Sequence, residues 1–216
     1  MYHDMKNAIE WMKKMPITII LVTINVIVFL VLEIMGDTRD GFFMVAHGAM
    51  NPSVILYNGD WYRLFTSMFM HFGGEHLLNN MLLLLVLGQY LERAVGPVKY
   101  LAIYLSSGIV GSFCSFFHML LMGENNIAAG ASGAVFGIIG ALVMVVFVHK
   151  GHYETFTTKR MLLMAALALY AGFSVKGVDN VNHIGGLIMG LLLCFFIYGI
   201  PYLIHSYKGH KISESD

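Results

Sequence analysis

Apolar residues in this chain come in long unbroken blocks separated by short polar segments, with little of the alternation that marks strands. A helix crossing a hydrocarbon layer about 30 Å thick needs about 20 mostly apolar residues, because each adds about 1.5 Å of rise. Windows of that kind predict six spanning helices, at 16–35, 76–91, 100–121, 132–149, 157–173 and 181–204. The first, PITIILVTINVIVFLVLEIM, opens on Pro16, a residue suited to the first helical turn. It is too long for the core of a secretory signal, and no small-residue cleavage site follows it, so it reads as a retained span. The fifth window is the weakest, because its purely apolar part, MLLMAALALYAGF, is short. The expected fold is all-α, a polytopic membrane helical bundle with six transmembrane helices.

The polar segments give an orientation. Lys6, Lys13, Lys14, Arg93, Lys99, Lys150, Lys159, Arg160, Lys208 and Lys211 fall on the side that carries both termini, against Arg39, Arg63 and Lys176 on the other. Short cytoplasmic loops hold the excess of cations, so both termini are expected in the cytoplasm of a cell membrane and the 36–75 connection outside. That connection holds Phe42, Phe43, Val45, Trp61 and Tyr62, which suit the headgroup level of the outer interface. Residues 1–15 place Met5, Ile9 and Met12 at helical spacing opposite lysines, which fits an interfacial helix and equally a frayed tail. No internal repeat or linker is visible, so residues 16–205 are read as one membrane domain between a cytoplasmic N-terminal segment (1–15) and a cytoplasmic tail (206–216).

Composition agrees: 57% of the 216 residues are hydrophobic and 12% charged, about half the charge of a soluble domain. The formal net charge is zero and no basic run tracks phosphates, which excludes a nucleic-acid partner. Cys114 and Cys194 lie in apolar runs without metal-ligand spacing, so neither a disulfide scaffold nor a cysteine metal site is expected. They read as packing residues.

Polar groups at membrane depth are costly and need a partner or a function. His71 precedes the second window, and His76 and Asn80 lie four apart on one helical face within it. Spacing alone slightly favours interhelical hydrogen bonding for that pair. The fourth window opens with GASGAVFGIIGAL, where Gly130, Gly133, Gly137 and Gly140 form a small-residue stripe suited to close packing. Ser132 adds what packing does not need, a hydroxyl in the first turn, where free N–H groups and the dipole favour developing negative charge. The sixth window opens with His183 followed by Gly186 and Gly190 on one face. Two glycine stripes packed together would bring His183 to Ser132, the pairing that makes a hydroxyl nucleophilic. Asp179, four residues before His183, reads either as a third member orienting it or, the preferred reading, as a loop carboxylate in water. His118 reads as a satisfied packing histidine, and His3, His149, His152, His205 and His210 as solvated or interfacial.

With these residues in view, the chain resembles the rhomboid family of intramembrane serine proteases over most of its length. WYRLFTSMFMHF (61–72) looks like the family's outer-loop motif, His76 and Asn80 match HxxxN, 91–112 looks like its turn and third span, GASG (130–133) matches the nucleophile motif, and His183, Gly186 and Gly190 match HxxGxxxG. The resemblance implies an intramembrane serine endopeptidase that cleaves the helices of single-span membrane-protein substrates in the lipid bilayer. In it Ser132 is the nucleophile and His183 the general base, a dyad acting through an acyl-enzyme. It assigns His76, Asn80 and the backbone N–H of Ser132 to the oxyanion hole, and Gly130, Ala131, Gly133, Gly186, Gly190 and Arg63 to shaping the site. It also suggests the fifth span as a mobile gate. No cofactor and no metal is expected. Tyr62 departs from the family's tryptophan before the arginine, a change that bears on loop anchoring.

Other classes lack parts. A rhomboid-like binding protein would lack Ser132 or His183; a channel or transporter would carry midplane charges or broken helices; a metalloprotease would need HExxH; an aspartyl protease would need two acids inside spans.

Overall fold

The computed structural model describes residues 14–175 and 177–213. The chain runs through α1 (Pro16–Met35), three short helices α2 (Gly41–Ala46), α3 (Pro52–Asn58) and α4 (Arg63–Thr66), a 3₁₀ turn (Ser67–Phe69), then α5 (Gly73–Val95), α6 (Pro97–Met122) and α7 (Ser132–Val148). A two-residue hairpin, β1 (His152–Tyr153) with β2 (Phe156–Thr157), leads to α8 (Thr158–Ser174) and α9 (Asn180–Cys194). A π turn (Phe195–Gly199) joins α9 to α10 (Ile200–Ser213). Among the described residues the fold is all-helical apart from that hairpin and an isolated bridge between Met50 and Ala128. The proposed interfacial helix at the N-terminus falls almost wholly outside the described residues, as does Lys176.

Helices occupy each window read from the sequence, and length and apolarity make membrane spans of three: 16–35, 97–122 and the continuous segment 180–208. This is a multi-pass membrane protein. Helix α5 has 23 residues but carries Glu75, His76, Asn80, Gln89, Glu92 and Arg93. Helix α7 is apolar but only 17 residues long. Observed ends differ from the windows where caps, not hydropathy, decide them. Gly73 (φ +75°) precedes the apolar run of α5 and Gly96 (φ +85°) ends the helix. Pro97 then starts α6 three residues ahead of its window, at a first-turn position that needs no N–H. The sixth window lies within the continuous segment 180–208, where a π turn at Phe195–Gly199 interrupts the α-helical hydrogen bonding.

Helix α7 is the centre of the bundle, with thirteen of its 17 residues buried. It is surrounded by α5, α6, α8 and α9. Its closest neighbour is α9, and glycine explains the approach. A Cβ at Gly186 or Gly190 would fall on the backbone carbonyls of Gly133 or Gly137, and one at Gly140 on the carbonyl of Leu187. Only a chain without side chains there lets the two backbones touch. Helix α6 closes the other side, where a Cβ on Gly137 would strike Ser107. By contrast α8 buries only Met161 and Gly172.

Helix α1 starts under a buried carboxylate from another helix. Glu92 on α5 accepts from the N–H groups of Ile17 and Thr18, each at 2.8 Å, and from the Thr18 hydroxyl at 2.7 Å. Those are donors that a helix N-terminus leaves unpaired, and the negative group suits its positive dipole end. The 36–75 connection turns Phe42, Leu56, Tyr57, Trp61 and Tyr62 outward. It is held by buried Arg63, which pairs with Asp60 at 2.9 Å and donates to the carbonyls of Val45 and Ala49.

Candidate active site

A cavity of about 1220 Å³ opens among α5, α6, α7, α8 and the start of α9, and its lining includes His76, Asn80, Ser132 and His183. Ser132 is the first residue of α7 and is half-buried at the cavity wall. The loop before it is pinned at three successive points. Ala128 exchanges two 2.9 Å hydrogen bonds with Met50, Gly130 N–H donates to the Ser67 carbonyl at 2.9 Å, and Ala131 N–H donates to His71 Nε2 at 3.3 Å. Gly130 takes φ +138°, a backbone region costly for any side chain, and a Cβ there would stand 2.9 Å from His76 Nε2. Glycine at 130 thus lets the His76 ring lie directly against the loop that presents Ser132.

His71 is a residue that sequence reasoning noticed without giving it a role. It is fully buried, sits edge-on to His76 at 5.1 Å, and burial, with His76 nearby, pushes its pKa down to about 3. It is therefore a neutral acceptor for the Ala131 amide. The available signal was its position, a polar ring five residues ahead of His76 at the end of an otherwise apolar run.

His76 Nδ1 accepts the Phe72 N–H at 3.4 Å, which places the ring proton on Nε2, the nitrogen facing Gly130. Asn80 is buried one turn further along α5, and its amide donates to the His76 carbonyl at 3.0 Å. That leaves its second N–H for the cavity. His183 is buried near the start of α9 and stacks flat on Phe136 of α7, ring centroids 4.2 Å apart and 10° from parallel. No hydrogen bond joins Ser132 to His183, and His183 Nδ1 has no partner among the described residues. The cavity thus holds the Ser132 hydroxyl at the end of a helix, the His183 imidazole, and the N–H donors of His76 and Asn80 on a facing helix, parts that acyl transfer can use.

Other readings change. Asp179 is not a loop carboxylate in water: it caps α9 by accepting from Asn182 N–H at 3.0 Å, and its second oxygen accepts from the buried Ser115 hydroxyl. His118 lines the cavity and, among the described residues, has no hydrogen-bond partner, so it does not read as a satisfied packing group. His149 is engaged by two tyrosine hydroxyls, Tyr198 at 2.9 Å and Tyr202 at 3.3 Å. Cys194 is buried and Cys114 half-buried, both unpaired.

Comparison with known proteins places this geometry. The model of the rhomboid domain matches residues 58–200. Rhomboid protease GluP of Bacillus subtilis (strain 168) is 36% identical over 188 residues, covering 87% of this chain and 36% of its own length. RHOMBOID-like protein 4 of Arabidopsis thaliana is 35% identical over 156 residues, 72% of this chain and 39% of its own. Rhomboid protease AarA of Providencia stuartii is 33% identical over 210 residues, 86% of this chain and 74% of its own. The chain therefore spans little more than a third of the first two relatives and about three quarters of the third. With its core helices, glycine contacts and cavity all inside or beside the matched segment, the chain belongs to the rhomboid family.

Proposed function

We propose that this protein is an intramembrane serine endopeptidase that cuts transmembrane helices of single-span membrane proteins with a Ser132–His183 dyad. The observation that carries the reading is the meeting of α7 and α9 through bare backbone, which brings a serine and a histidine from distant parts of the chain to one cavity. Relatives named as proteases support the same class of reaction.

His183 takes the proton of Ser132 as its oxygen attacks the scissile carbonyl, and later returns it to the leaving amine. The oxygen of the tetrahedral intermediate is held by Nε2–H of His76, the free N–H of Asn80 and the backbone N–H of Ser132 at the positive end of α7. Collapse gives an acyl-enzyme on Ser132, which water from the cavity hydrolyses. Because every amide of a spanning helix is already hydrogen-bonded, the substrate must unwind locally to offer its carbonyl, and residues that weaken helices favour cutting there. The weakly packed α8 beside the cavity is the segment best suited to admit a helix from the lipid. Among the described residues, the six helical segments α1, α5, α6, α7, α8 and α9 with its continuation cross the membrane with both termini in the cytoplasm, and on that reading the cavity opens to the outer face.

Covalent capture tests the dyad. A fluorophosphonate probe on the purified protein should form an adduct mapping to Ser132, with no adduct in Ser132→Ala and at least a hundredfold slower labelling in His183→Ala. Labelling of His183→Ala at the wild-type rate would contradict the assignment of the base.

A further inference from the structure

His183 has a flat contact with Phe136 and, among the described residues, no partner on Nδ1, so no hydrogen bond to that nitrogen fixes where the ring stands. Its position depends on where the first turn of α9 is held. That turn is gripped from two directions. Asp179 ties it to α6: one carboxylate oxygen accepts from Asn182 N–H inside the turn, and the other from Ser115 on α6, which is buried. Asn182, the residue next to His183, pushes its side chain into the space left by Gly111 on α6 and Gly133 on α7. Gly133 in turn directly follows Ser132. The carboxylate is therefore the only hydrogen-bonded link, among the described residues, between the first turn of α9 and a neighbouring helix.

We propose that Asp179 is a positioning residue for the base: by capping α9 and anchoring it to Ser115, it sets the depth and rotation at which His183 meets Ser132. It acts through the helix and not through the imidazole, since both of its oxygens are engaged elsewhere. The proposal rests on the Ser132–His183 reading of the cavity.

The test compares Asp179→Ala, Asp179→Asn and Ser115→Ala in the full chain reconstituted in liposomes with a tagged single-span substrate. Asparagine caps a helix as well as aspartate and still reaches Ser115. Asp179→Ala should lower kcat about tenfold with KM changed by less than about twofold, while Asp179→Asn recovers to within about threefold of wild type. Ser115→Ala should lower kcat about threefold, and the double alanine variant should be no worse than Asp179→Ala alone, because both remove one link. If Asp179→Ala does not fold, Ser115→Ala carries the comparison. Independently of any substrate, the ring signal of isotopically labelled His183 should shift in Asp179→Ala and return in Asp179→Asn. An Asp179→Ala enzyme with wild-type kcat and an unmoved His183 signal would overturn the proposal, as would equal losses in the alanine and asparagine variants. A wild-type protein that neither cleaves nor labels would instead defeat the protease reading, and the His183 signal would still decide the role of Asp179.

Discussion

Histidine 71 shows how one buried ring can serve a site it does not enter. Its Nε2 can accept the Ala131 amide only while neutral, and burial keeps it so by moving its pKa down to about 3. In the unfolded chain the same ring protonates near pH 6.5. As pH falls from about 6.5 towards 3, the unfolded state takes up a proton that the folded state refuses, so this contribution to stability is lost on acidification. Between pH 7 and 5 the loss amounts to about 2 kcal/mol. Unfolding of the detergent-solubilised protein should show a shallower dependence on pH in His71→Asn, which keeps an acceptor without titrating; identical slopes would remove the assignment. The two donors across the cavity make a separate prediction. His76→Ala and Asn80→Ala should each lower kcat by about 10²- to 10³-fold with the fold intact, as loss of an oxyanion donor does, measured by single-turnover cleavage. These donors were legible in the sequence as a same-face pair, although interhelical bonding explained them equally well. His71 was visible without a role, because its partner is a backbone amide 60 residues away.

At the level of helices, glycine separates two kinds of constraint. Gly190 has an ordinary helical backbone, but a Cβ there would meet the carbonyl of Gly137, so the limit is space. Gly96 has open space around it but φ +85°, so the limit is conformation. Gly190→Val should therefore force α7 and α9 apart, costing about 1–3 kcal/mol or more and abolishing cleavage, while Gly96→Ala should cost about 1 kcal/mol and leave turnover near wild type. Thermal unfolding read beside activity distinguishes them; a fully active Gly190→Val would refute backbone contact as the basis of the site. The stripes of Gly133, Gly137, Gly186 and Gly190 were readable because glycine at helical spacing has few other uses in a spanning segment. Helix ends were not, since α5 and α6 are bounded by Gly73, Gly96 and Pro97, outside the apolar runs that defined their windows. The π turn after Cys194 left no mark in hydropathy at all.

In the whole molecule, the chain joins its ends to its middle through buried polar groups. Glu92 on α5 receives the start of α1, and Asp179 ties α9 to α6, so α1 and α9 both begin on polar contacts distant in sequence. Glu92→Ala leaves three donors at the head of α1 without a protein acceptor and should cost about 3 kcal/mol, with Glu92→Gln recovering part of it in the same unfolding experiment. The helical architecture could be read from apolar block lengths, whereas long-range polar links such as Glu92 to Thr18 have no local signature. The central claim is that Ser132 and His183 together cut a membrane-embedded helix. It is tested most directly by following cleavage of a tagged single-span protein by the purified chain in liposomes, with Ser132→Ala and His183→Ala in parallel. Cleavage by the wild type that vanishes in both variants is the result this account predicts, and turnover that survives in either variant would contradict it.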